Sequence, residues 1–351
     1  MKRIINLIFI AGVIVSLAIA VSGKIKGLGR FFLAEDYSSN GFEYGNLYLI
    51  SGIKGFKQNY KLMNTPEMHT VNNAGIITMG DSFFNQGLDS DIFANELEKK
   101  IDLAVYNIAD AQESPLQYFK DINYKGDEHK VLLFEITERS TLSTILSPKF
   151  LSVPDENLSV FYRYKEFYYR IKHKIFNNLD VEYFFKRNFI ANPVRQTLKN
   201  IKFSWFGLTD PDIGAYSEDL PMLFFETEVS FNEMEKSDAN LEALTENLKL
   251  LQNILLDKYN IDLYVLIIPN QYTIYSKYAN KKIAYDGYLA KINGLLDKKG
   301  VKYFDVYGLY RDYVINDNSR LLYLTNDFHY SAFGKLLLVN SVAEKLSVVF
   351  K

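Results

Sequence analysis

Three kinds of hydrophobic spacing follow one another along this chain. The first is continuous: Met1-Lys2-Arg3 leads into an apolar run from Ile4 to Val21, broken only by Asn6, Gly12 and Ser16. A basic start before such a run predicts a helix that is either a cleaved secretory signal or a retained anchor. The run exceeds the ~7–15 residues of a signal core and reaches the ~17–25 of a spanning helix, which favours the anchor over residues 1–23. Ala18-Ile19-Ala20 keeps cleavage open, and a buried N-terminal helix of a soluble protein is the third reading. Lys24, Lys26 and Arg30 balance Lys2, Arg3 and the amino terminus, so charge does not set an orientation. Residues 24–73 keep no period and read as a spacer, with one candidate strand within Phe42 to Ile50.

From residue 74 the spacing alternates between short buried-strand runs and helical repeats. Ala74 to Met79 is a short apolar, β-branched run that predicts a buried strand, closed by Gly80-Asp81-Ser82. Ile92, Phe93, Leu97 and Ile101 then fall at helical spacing, Leu103 to Ala109 predicts the second strand and Lys130 to Thr137 the third. Leu241, Leu244, Leu248, Leu251 and Ile254 mark a helix over Ser237 to Lys258, followed by a strand over Asp262 to Ile268. A helix over Ile283 to Lys298, a fifth strand over Val301 to Val306 and a last helix over Lys335 to Leu346, with Ser331 as its N-cap, complete the pattern. Strand and helix in alternation predict one three-layer α/β domain over residues 74–351 with about five parallel strands.

The third spacing belongs to residues 145–230, which read as a helical insertion. Phe161 to Lys174 interleaves Tyr and Phe with Lys and Arg, and Tyr183 to Arg187 continues the pattern. Aromatics alternating with cations suit a membrane surface or membrane partner, and equally a helical cap packed on the core. Nucleic acid is the poorer fit, because the whole chain carries a formal net charge of −2. With 48% hydrophobic and 23% charged residues, the chain can bury a sizeable core. It contains no cysteine, which removes thiolate catalysis and disulfides, and its four histidines show no metal-ligand spacing, so neither metal nor cofactor is expected.

The candidate chemistry lies at two distant points. Ser82 follows a strand's carboxyl end, where ligands of open α/β sheets bind, and a serine on a tight strand-to-helix turn presents its hydroxyl and its own N–H together. An ordinary turn is the alternative, since Gly, Asp and Ser are all turn residues. His329 sits in the loop before the last helix with Asp327 two positions upstream. A serine nucleophile needs a base titrating near neutrality and a carboxylate to orient it, and these residues supply the three types.

Gly-Asp-Ser after the first strand with Asp-x-His before the last helix resembles the SGNH/GDSL hydrolase superfamily. Asp327-Phe328-His329-Tyr330 with Gly334 is more similar to the alginate-type polysaccharide O-acetyltransferases, whose signature is Asp-x-His-Trp; Tyr330 stands at the Trp position. Leu132 to Arg139 resembles that group's strand ending in Glu-Arg, and Ile267 to Tyr275 resembles its Pro-Asn/Asp-Lys-x-x-x-Tyr, with Gln271 in place of Lys. The order differs: here the serine comes first, as in ordinary SGNH hydrolases and in the D-alanyl transfer proteins of teichoic acid modification. The resemblance covers residues 74–139 and 262–346.

It implies an SGNH-like sandwich in which Ser82 attacks an acyl donor, His329 takes its proton and Asp327 orients the imidazole. The oxyanion would meet the Ser82 N–H and a donor from Asn107 to Ala111, where Ala109 and Ala111 replace the Gly of related enzymes; Asn107 serves either as an oxyanion or loop-fixing donor or only in the turn chemistry of a strand end. Arg139 binds an anionic or polyol acceptor or pairs with a neighbouring Glu, and Gln271, Tyr275 and Tyr330 line the site. The implied activity is extracytoplasmic O-acetyl transfer to an exported or cell-surface polysaccharide. A multispanning membrane O-acyltransferase would supply the acyl group, and the N-terminal helix would hold the enzyme on the membrane. An exported esterase or deacetylase, a D-alanyl transfer protein, and a non-catalytic glycan- or membrane-binding assembly protein are the alternatives.

Overall fold

The computed structural model describes residues 2–22, 44–63, 65, 69–108, 114–151, 191–217 and 219–349. In chain order its elements are α1 (Lys2–Ser22), α2 (Asn46–Ser51), β1 (Ile76–Met79), α3 (Ser82–Asn85), α4 (Phe93–Ile101), β2 (Val105–Ile108), α5 (Pro115–Asp121), β3 (Lys130–Thr137) and α6 (Thr141–Ile145). They continue with α7 (Ala191–Phe206), β4 (Ile213–Ser217), β5 (Met222–Phe225), α8 (Glu226–Glu233), α9 (Asp238–Tyr259), β6 (Ile261–Ile268), α10 (Gln271–Tyr275), α11 (Tyr288–Lys299), β7 (Tyr303–Phe304), α12 (Val306–Asn316) and α13 (Ala332–Val349). The chain forms two compact units, residues 1–57 with 155–210 and residues 58–154 with 211–351.

The larger unit is built on a five-stranded parallel sheet in the order β2-β1-β3-β6-β7. All four residues of β1 and all eight of β3 are buried, as expected of strands covered on both faces. One face packs Ile76, Leu133 and Leu266 against α4, α12 and α13 through Phe93, Tyr310 and Leu346. The other packs Ile77, Leu132 and Val265 against α5, α9 and α11 through Phe119, Leu248 and Ile292. The result is the three-layer α/β arrangement that the alternation predicts. Burying each large apolar side chain contributes roughly 1.5–3 kcal/mol, so the five leucines that α9 turns inward, Leu241, Leu244, Leu248, Leu251 and Leu255, anchor it firmly.

Boundaries shift where local chemistry overrides periodicity. The fifth strand pairs over Tyr303–Phe304 alone, shorter than Val301 to Val306, because Asp305 accepts from the Gly308 N–H and starts a helix at once. The candidate strand within Phe42 to Ile50 is helical over Asn46–Ser51. Gly45 and Gly52 bracket it with φ of 74° and 65°, turning the chain at both ends. The expected helical insertion at 145–230 is only partly helical. After α7, β4 and β5 pair as an antiparallel hairpin whose Ala215, Met222 and Phe224 join the core of the sheet's first face. The aromatic-basic stretches 161–174 and 183–187 lie outside the described residues. Among those described, no helix is long and apolar enough to cross a membrane.

Candidate active site

β1 ends where the sequence places Ser82. Asp81 caps α3, its carboxylate accepting from the Phe83 N–H at 2.9 Å, and this tight exit puts Ser82 first in the helix. Gly80 is required by a close approach: a Cβ there would lie 2.7 Å from Cβ of Glu135, whose strand β3 runs beside β1. The carboxylate of Glu135 accepts from the Asp81 N–H at 2.8 Å and ties the turn to the neighbouring strand. Tyr330 closes it from the other side, donating its hydroxyl to the Phe83 carbonyl while its ring meets Phe83 edge to face.

His329 arrives from a loop folded back on itself. The Leu324 N–H donates to the His329 carbonyl at 3.0 Å and the Ser331 N–H to the Leu322 carbonyl at 2.8 Å, so residues 322–331 form a closed tip. Ser331 caps the helix beyond, accepting from the Gly334 N–H at 3.1 Å. At the tip, Asp327 Oδ1 accepts from the His329 backbone N–H at 3.0 Å and lies 2.5 Å from His329 Nδ1. His329 Nε2 lies 2.7 Å from Ser82 Oγ. Ser82, 247 positions from His329 in sequence, thus joins His329 and Asp327 in one hydrogen-bonded row, with Asp327 and His329 buried and Ser82 partly open to solvent. With Nδ1 donating to Asp327, Nε2 is left unprotonated to accept from the serine hydroxyl, the arrangement a general base requires.

The residues expected to line the site stand one step behind it. Gln271 is fully buried and donates to the Leu324 carbonyl at 2.7 Å. Tyr275, also fully buried, accepts from the Leu322 N–H at 2.9 Å. Both therefore brace the histidine loop rather than face a ligand, because α10 turns them into the core as it leaves β6. Asn107 sits opposite Thr78 in the β1–β2 register and accepts from its hydroxyl at 2.8 Å. Its amide donates to Asn85 Oδ1 at 2.7 Å, fixing the end of α3. Ala109 lies outside the described residues.

Arg139 departs from the expected local pairing. Its partner is Glu228 on α8, 89 residues away, at 2.9 Å, and its guanidinium lies 4.8 Å from the centroid of Phe328, the residue before His329. Glu138 instead accepts from the Asn270 N–H at 2.8 Å and the Tyr285 hydroxyl at 3.0 Å. Sequence spacing offers no signal for Glu228, since it sits in a helix beginning Glu-Thr-Glu whose charges read as solvated. Glu135 does carry a signal, a carboxylate inside the apolar run Val131 to Ile136.

These carboxyls are costly to ionise. Burial, reinforced by the charge of Asp81, raises the Glu135 carboxyl well above its ordinary range. Burial also lifts Glu138 to about 7, against the hydrogen bonds it accepts. It lifts Glu228 to about 7 even with Arg139 beside it, and the nearby charge of Asp327 adds to the rise. A cavity of about 420 Å³ borders the nucleophile turn, lined by Gly80, Asp81 and Glu135 together with Phe134, Phe150 and hydroxyl groups that include Ser143. Among the described residues no group of histidines and carboxylates is arranged to hold a metal ion. Compared with known proteins, the chain matches no family model, no curated protein and no solved structure.

Proposed function

We propose that the protein is a serine O-acyltransferase of the SGNH type, working outside the cytoplasm on an exported or cell-surface polysaccharide. The observation that carries this reading is the Asp327–His329–Ser82 row at the carboxyl edge of a parallel sheet. Ser82 Oγ attacks the carbonyl carbon of an acyl donor as its proton passes to His329 Nε2, and Asp327 holds the resulting imidazolium. The imidazolium returns the proton to the departing donor oxygen, leaving acyl-Ser82. His329 then takes a proton from an acceptor hydroxyl, whose oxygen attacks the acyl carbon, and the imidazolium returns that proton to Ser82 Oγ as the acyl–serine bond breaks. The Ser82 N–H, which has no partner among the described residues, faces the developing oxyanion as one donor.

A nucleophile row gives the same acyl-enzyme to hydrolysis and to transfer, and what reaches it decides the product. The cavity beside Gly80 and Asp81 supports transfer, because aromatic rings with hydroxyls suit a sugar ring. Arg139, above Phe328 and next to the histidine loop, is the group for an anionic substituent on the acceptor. The apolar side chains of α1, such as Ile5, Phe9 and Ile14, are exposed, and we assign that helix to membrane anchoring beside a multispanning acyltransferase that delivers the acyl group.

Intact-protein mass spectrometry after brief exposure to an activated acetyl ester tests the reading. An acetyl adduct is expected on the wild type, absent from Ser82→Ala and slowed at least about 10³-fold in His329→Ala. Discharge of the adduct faster by added polysaccharide than by water supports the transferase. Equal discharge with and without glycan makes the protein an esterase, and a wild type that never acylates removes the serine chemistry altogether.

A further inference from the structure

Helix α7, in the smaller unit, is inside out. Its polar side chains face the protein: Gln196 donates to the Tyr48 hydroxyl at 3.3 Å, Lys199 to the Ile50 carbonyl at 2.7 Å and Asn200 to the Gly52 carbonyl at 3.1 Å. Asn200 also accepts from the Lys54 N–H at 3.0 Å, and Phe203 meets Phe56 edge to face. Polar groups are spent on the backbone of residues 50–54, so the helix is held by hydrogen bonds rather than by its apolar residues.

The apolar residues point to solvent. Val194, Leu198, Ile201 and Trp205 recur at steps of four, three and four, and every one is exposed, Trp205 at 74%. Contiguous exposed apolar surface on a soluble face is uncommon and marks an interaction site. Its occupant follows from charge and from the helix's end. No residue from Ala191 to Phe206 is acidic; of its basic side chains Lys199 is paired with Asp210 at 2.6 Å, and Lys202 stands exposed on the flank. Protein interfaces are depleted in Lys, whereas helices lying in a lipid interface combine cations on the flank with Trp, Phe and Leu on the apolar face. The stripe ends on exposed Trp205 and Phe206, the aromatic pair suited to headgroup depth. The same compact unit contains α1, whose described apolar side chains are also exposed.

We propose that α7 is an interfacial helix that lies on an anionic lipid bilayer, with Val194, Leu198, Ile201 and Trp205 in the headgroup-acyl boundary. It gives the smaller unit a membrane contact of its own, independent of the acyl chemistry at Ser82. The helix buries its apolar stripe in lipid, and exposed Lys202 lies within reach of lipid phosphates.

Trp205 is the chain's one tryptophan, so the protein carries its own reporter. Full-length protein is placed in nanodiscs of phosphatidylcholine and phosphatidylglycerol, with and without brominated acyl chains, and Trp205 emission is read. Quenching by the brominated lipid is expected. Pure phosphatidylcholine should weaken docking by roughly fivefold, for the one exposed cation engaged. Leu198→Asp with Ile201→Asp, which leaves α1 intact, should abolish the quenching, whereas Ser82→Ala should quench as wild type does. Trp205 that is unquenched in brominated discs overturns the proposal, as does quenching that survives the double substitution. So does a Trp205 open to aqueous iodide in pure-lipid discs but shielded in native membranes, which would assign the stripe to a membrane protein.

Discussion

Helices α9 and α7 carry apolar residues at the same helical spacing and bury them oppositely. In α9, Leu241, Leu244, Leu248, Leu251 and Leu255 are buried against the sheet, with Ser237 capping the start by accepting from the Asn240 N–H at 3.3 Å. In α7, Val194, Leu198, Ile201 and Trp205 are exposed and Asn192 and Gln196 are buried. Periodicity identifies a helix and its two faces, and says nothing of which face meets the protein. That depends on the partner: α9 faces the apolar side chains of a sheet, while α7 faces backbone carbonyls and N–H groups of residues 50–54 that demand hydrogen bonds.

The contrast is easiest to break by truncation. Leu248→Ala should lower stability by about 2–5 kcal/mol in urea unfolding, because it leaves a cavity against the sheet. Leu198→Ala should change stability by no more than about 0.5 kcal/mol, since its side chain touches solvent in the isolated protein. Equal losses at the two positions would mean that the stripe on α7 is covered within the chain.

The buried carboxyls sharpen the comparison from the polar side. With Glu138 and Glu228 raised from 4.5 to about 7, the folded protein keeps protons that the unfolded chain releases between those values. Stability therefore falls as pH rises through that window and levels off above it, by on the order of 3 kcal/mol per group. Urea midpoints taken at about pH 5 and about pH 8 should differ in that direction, and Glu138→Gln should remove part of the difference. A midpoint that rises with pH across this range would place the charged carboxylates, not the neutral acids, in the folded state. A smaller effect belongs to Tyr330→Phe, which strands the buried Phe83 carbonyl at a cost of about 1–3 kcal/mol. Its readout beyond stability is slower acylation of Ser82, because that carbonyl belongs to the turn that aims the hydroxyl.

Much of the larger unit was legible in its residues. β3 matches Lys130 to Thr137 to the residue, since a run buried on both faces leaves no ambiguity of side. Ser82, Asp327 and His329 could be picked out as a candidate row because a serine at a strand end and a histidine with a carboxylate before a helix are distinctive types in distinctive places. Residues whose role lies in long-range hydrogen bonding were not. Gln271 and Tyr275 look like site residues from their position after β6, yet they hold the loop that carries His329. The partnership of Arg139 with Glu228 spans 89 positions, and nothing local separates it from a pairing with Glu138.

By itself, the order of residues determined the alternation of strand and helix, the parallel sheet and the three chemical types of the candidate row. These follow from short-range rules: the two-residue period of strands, the helical period, and the turn chemistry of Gly, Asp and Ser. Only the tertiary structure decided that Asp327, His329 and Ser82 meet within hydrogen-bond distance, that three carboxyls are buried beside them, and that α7 turns its apolar face outward. Each of these depends on which distant group lies opposite a side chain, and a hydrogen bond or a buried charge is set by that partner and its distance rather than by neighbours in the chain.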